Sequence, residues 1–121
     1  MTIELVGVDG DDTLWHSEVH FVAVQAQIRP LLASYVDEAR FDEQLLVVER
    51  RNLALYGYGV KGFALSLIET AIELTDGTIP ASAIASVLDL AKSLLAHPME
   101  LLQHVGTVIP ELAQRYRLVL I

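Results

Sequence analysis

Two apolar runs of β-branched character stand at opposite ends of the chain, residues 3–8 and residues 116–121, and each predicts a buried strand. Between them the apolar positions change to intervals of three and four. Phe21, Val24, Ile28, Leu31 and Tyr35 mark one face of a helix over 17–36, which Pro30 should kink or interrupt. Asp37 and Glu38 read as a turn. A second helix is expected over 41–55, with Leu45, Leu46, Val48 and Leu53 inward and Glu49, Arg50 and Arg51 outward. Residues 56–62 hold three glycines, which breaks the helical pattern. A third helix follows over 63–74 and ends at Asp76-Gly77-Thr78. Pro80 suits the first turn of a fourth, where Ile84, Val87, Leu88, Ala91, Leu94 and Leu95 form a stripe. His97-Pro98 stops it, residues 99–104 return, and a fifth helix is expected over 107–115, with Pro110 tolerated only near its start. Strands at both ends of a long helical stretch predict an α/β chain, without repeats, low-complexity segments or a flexible linker.

Chemistry gathers where the first strand stops. Asp9-Gly10-Asp11-Asp12-Thr13-Leu14 places three carboxylates within four residues, with Gly10 for a tight turn. Like charges at ~5 Å repel by about 3 kcal/mol per pair at an effective dielectric of ~20. A hard cation with oxygen ligands, such as magnesium (Mg2+), or a proton-transfer task offsets that cost. Alternation along an extended segment would put Asp9 and Asp11 on one side, facing one substrate. An ordinary solvated turn is the plain alternative. A calcium loop of the EF-hand type fails, because positions six and twelve counted from Asp9 are Leu14 and His20 rather than Gly and Glu. A phosphorelay receiver fails as well, because the following residues are helical rather than alternating strands and helices.

An apolar strand running into Asp-x-Asp-x-Thr resembles the first motif of the haloacid dehalogenase-like (HAD) hydrolase superfamily. The resemblance implies that Asp9 is the nucleophile forming an aspartyl phosphate and that Asp11 is the general acid/base. Asp9 and the Asp11 carbonyl would help hold magnesium, with Asp12 and Thr13 supporting the turn and the phosphate. The common family form has Gly where this chain has Asp12, which adds charge beside the phosphate site. The dehalogenase branch lacks the second Asp, so Asp11 favours phosphate chemistry. A helical stretch between two strands is similar to members with an all-α cap inserted after the first motif. Residues 1–14 and 105–121 would then be part of a Rossmannoid α/β core, only its first two strands present, and residues 15–104 the helical cap. The implied activity is a magnesium-dependent phosphatase of a small phosphorylated metabolite. The alternatives are a dehalogenase-like or phosphotransferase variant, or an inert helical module that binds a partner. The family's later Ser or Thr, Lys and acidic residues have no counterpart before Ile121. The chain is therefore expected to be the N-terminal portion of a longer enzyme, inactive alone, and to associate with copies of itself or with the missing core.

Composition narrows the partners. Apolar residues make up 53% of 121, enough for a substantial core. A formal charge of −8 argues against nucleic acid and against anionic membranes. Without cysteine there is neither disulfide nor thiolate metal site, which fits a cytoplasmic location. No leader sequence and no membrane-spanning run is visible.

Trp15 and His16 follow the motif and either line the approach to the substrate or pack the hinge. Tyr58 and Lys61, in the glycine-rich connection, are candidate contacts of the substrate's leaving group; a plain connector is the alternative. His16 and His20 read as a structural pair on a helix rather than as zinc ligands, since no third ligand accompanies them. Arg50 and Arg51 read as a solvated face paired with Glu49 rather than as an anion site.

Overall fold

The computed structural model describes residues 1–121, which form two compact units: residues 1–21 with 98–121, and residues 22–97. In the first unit, β1 (Leu5–Val8) and β2 (Arg117–Leu120) lie parallel, paired Leu5 to Arg117 through Val8 to Leu120. Parallel neighbours need a long crossover, and here the helical stretch supplies it. Arg117 N–H donates to Glu4 O at 3.1 Å and Ile121 N–H to Val8 O at 2.9 Å, extending the ladder at both ends. Leu5, Val119 and Leu120 are exposed, so the apolar faces expected of a parallel strand are uncovered within this chain. The helix α5 (Val105–Ala113) precedes β2 and packs on it. Its start is earlier than expected, and Pro110 sits in its interior, where one missing amide costs a short helix a single bond.

The second unit is helical. It contains most of α1 (Glu18–Leu32), then α2 (Glu38–Tyr56), α3 (Val60–Leu74) and α4 (Ala81–Ala96). All the fully buried apolar side chains of the molecule belong to it, from Val24 to Leu94. The buried faces repeat at helical spacing: Val24, Ile28 and Leu32; Phe41, Leu45 and Val48; Phe63, Leu67 and Ala71; Val87, Ala91 and Leu94. Several residues expected inward face solvent instead. Leu31 and Tyr35 are exposed because α1 closes at Leu32, leaving Tyr35 in a turn, while Leu46, Leu53, Leu88 and Leu95 lie on the outer margins of their stripes. Pro30 does not interrupt α1. It falls in the last turn, where one lost amide bond is tolerated.

Between α2 and α3 runs a polar seam. Buried Asn52 donates to Ser66 Oγ at 3.2 Å and to Glu69 Oε2 at 2.6 Å. Arg51 bridges Glu69 and Glu73, and Gln44 donates to Glu73 Oε2 at 3.0 Å. Arg51 thus pairs across to α3. Its guanidinium holds the Glu73 carboxyl below its ordinary range. Asp37 caps α2 by accepting Arg40 N–H at 3.0 Å, and Gly57 closes it at φ +67°, a conformation that favours glycine. Gly62, expected in the break, lies inside α3. A Cβ there would come within 3.0 Å of Tyr56 Cβ and 3.2 Å of Gly57 O, so its bareness lets the two helices approach.

The two units meet in sequence at 21/22 and 97/98, both within the stretch 15–104 expected as the cap. The reason is an unforeseen pairing. Trp15 forms an antiparallel bridge with Leu101, flanked by His16 N–H to Glu100 O and Leu102 N–H to Leu14 O, both 2.9 Å. That pairing ties 14–16 and 100–102 to each other, and both fall in the strand unit.

Candidate active site

Asp9 follows the last residue of β1, and the loop it opens stands at the carboxyl ends of both parallel strands, where open α/β sheets hold their ligands. Thr13 N–H and Leu14 N–H both donate to Gly10 O, at 3.1 and 2.8 Å, and this turns the chain from Asp12 to Leu14. Thr13 Oγ1 then reaches back to donate to Asp9 Oδ2 at 3.2 Å. The threonine therefore braces the turn and orients the first carboxylate at once. Asp11 has a different partner: its Oδ1 accepts the Trp15 indole N–H at 2.8 Å. Gly10 is buried beneath that indole. A Cβ at Gly10 would lie 2.6 Å from the ring and 3.4 Å from Leu120 Cδ1, so only glycine fits between the indole and the end of β2.

Asp12 has a role that its position in the motif does not announce. Its backbone is left-handed at φ +56°, which accounts for glycine in the common form of the motif and for Asp as a tolerated substitute. Its Oδ1 accepts Ser17 N–H at 2.9 Å and its Oδ2 accepts Glu18 N–H at 3.0 Å. The carboxylate thus satisfies amides at the start of α1. Those two backbone bonds, Ser17 first, hold its carboxyl below the ordinary value of 3.8. Since the folded value is lowered, the stabilisation is present above pH 3.8 and disappears as pH falls through the folded value. Substitution should reveal both functions. Thermal stability is expected to fall in the order Asp12→Asn, Asp12→Gly, Asp12→Ala, because Asn keeps an acceptor and tolerates positive φ, Gly keeps only the φ, and Ala keeps neither. A melting series in which Asp12→Ala is no worse than Asp12→Gly would refute the assignment.

Asp9, Asp11, Asp12, Thr13, Trp15 and His16 thus share one loop in the strand unit. Tyr58 and Lys61 lie in the helical unit, both exposed, Tyr58 on the α2–α3 connection and Lys61 in the first turn of α3. His16 precedes α1 rather than sitting on it, so the expected four-residue helical spacing with His20 does not arise. The Trp15 donor to Asp11 and the Asp12 cap are the two site features that spacing alone does not reveal.

The donor set suits a hard divalent cation. Asp9 is an exposed carboxylate at a strand end, Asp11 follows two residues on with its own backbone carbonyl, and no sulfur donor lies on the loop. These two residues are the ones in this chain that would hold magnesium.

No family model and no curated protein matches this chain. Among solved structures it is similar to a haloacid dehalogenase-like family hydrolase from Xanthomonas campestris, at 44% identity and a TM-score of 0.89 over 98% of its length. The chain belongs to the haloacid dehalogenase-like family. It spans about half the length of that solved chain, 49%. HAD-like hydrolases generally use magnesium, in keeping with the oxygen donors on the Asp9 loop. No helix is long and apolar enough to cross a membrane.

Proposed function

We propose that the chain carries the nucleophile and the general acid of a phosphatase acting on a small phosphorylated metabolite. Asp11 is the observation that supports this reading over halide displacement. A departing halide needs no proton, whereas an alkoxide does, and Asp11 is a second carboxyl group held on the same loop as Asp9. With Oδ2 of Asp9 engaged by Thr13, Oδ1 attacks phosphorus as the bond to the leaving oxygen breaks. Asp11 gives its proton to that oxygen. It then takes a proton from the water that attacks the aspartyl phosphate, which releases inorganic phosphate and restores Asp9. Magnesium, when bound by Asp9 and the Asp11 carbonyl, offsets repulsion between carboxylate and phosphate oxygens. On the strand unit, Trp15 and His16 border the approach to the carboxylates.

The test is a panel of phosphate monoesters and 2-haloacids given to the full-length protein with magnesium. Phosphate release that stops on chelation is expected, with no halide release. Halide release without phosphate release would replace this reading by the dehalogenase one.

A further inference from the structure

We propose that Trp15 is a positioning residue for Asp11, its indole N–H fixing the carboxyl group so that Oδ2 is the oxygen carrying the proton to the leaving group. The proposal rests on the phosphatase reading of Asp11. An indole N–H only donates. It therefore addresses an oxygen that bears no proton, and at 2.8 Å it takes Oδ1 of Asp11. While that bond is made, a protonated Asp11 carries its hydrogen on Oδ2. One hydrogen bond thus sets both the rotation of the carboxyl group and the position of the acidic proton, the orientation that proton transfer needs.

The indole is itself held from several sides. Its backbone carbonyl accepts Asp12 N–H at 2.7 Å, and Trp15 bridges Leu101 on the returning segment. Its six-membered ring covers Gly10, in space that a Cβ at that residue would invade at 2.6 and 2.7 Å, with Leu120 Cδ1 of β2 3.4 Å from the same point. A ring anchored at its backbone and wedged over buried Gly10 is a fixed donor rather than a mobile one.

Trp15→Phe in the full-length protein keeps an aromatic ring over Gly10 and deletes the N–H. The readout is kcat/KM, which covers the steps up to departure of the leaving group. For an alkyl phosphate, whose leaving oxygen needs a proton, kcat/KM should fall about ten- to a hundredfold, within the range that a positioned general acid contributes. For p-nitrophenyl phosphate, whose leaving group departs unprotonated, it should stay within about threefold. Asp11→Asn should show the same selectivity in stronger form. Equal losses on both substrates, or no loss on either, would overturn the role of Trp15 while leaving the phosphatase reading in place. A wild-type protein that hydrolyses neither ester would overturn that reading and the Trp15 role with it. If Trp15→Phe does not fold, benzothienylalanine at position 15 keeps the bicyclic shape without the N–H and gives the same comparison.

Discussion

Asp9→Asn in the full-length protein should abolish phosphate release, by at least about a thousandfold, on good and poor leaving groups alike. The amide has no anionic oxygen to attack phosphorus. On this reading Asp11 supplies the proton rather than the attacking oxygen, and Asp12 is turned onto the Ser17 and Glu18 amides. The fold should not notice. Asp9 is exposed, and an amide oxygen still accepts from Thr13 Oγ1. Far-UV dichroism and the melting temperature are therefore expected to match the wild type. Because Gly10 follows, the introduced amide is prone to hydrolyse back to the acid, so Asp9→Ala is a useful companion. Turnover of p-nitrophenyl phosphate near the wild-type rate in both variants would remove Asp9 as nucleophile. Asp11→Asn contrasts with this: it should spare the first chemical step for good leaving groups and so separate the two carboxylates by role.

The strand ends and the acid cluster were legible because each is a local pattern. An apolar run stopped by Asp9-Gly10-Asp11 needs no tertiary information to be seen, and the family resemblance implied that the two apolar ends share a sheet, as β1 and β2 do. What was not legible depends on where side chains point after the chain turns. Asp12 was expected to add charge beside the phosphate, yet its positive φ turns the carboxylate onto amides five and six residues further on. Trp15 was expected at the approach or in the hinge. Its indole nitrogen finds Asp11 only because the Gly10–Leu14 turn folds the ring back over Gly10. The helix faces were partly legible for a related reason. A period of 3.6 identifies a broad apolar stripe, but the neighbouring helix selects which part of it is covered. Leu45 and Val48 are buried while Leu46 and Leu53 are not, because the seam from Asn52 to Ser66 and Glu69 sets how α2 faces α3.

That seam and the faces beside it concentrate the cohesion of this chain in residues 22–97, and one large side chain tests the point. Phe41 is 1% exposed and is the largest of the fully buried side chains. Phe41→Ala removes its ring from water-free surroundings and leaves a cavity, at an expected cost of about 3–5 kcal/mol. The first turn of α2 itself should survive locally, since Asp37 still caps it and Ala has the higher helix propensity. The loss is thus one of packing between helices rather than of helix formation. Leu46→Ala on the same helix is the control. Leu46 is 49% exposed, so its removal should change stability by no more than about 0.5 kcal/mol. Urea melts of the full-length protein followed by far-UV dichroism would read both: a large drop in midpoint for Phe41→Ala, and almost none for Leu46→Ala. Similar small shifts for the two variants would mean that the helical unit is not where the stability of this chain resides. Comparable large shifts would instead mean that the outer face of α2 is covered in the whole protein.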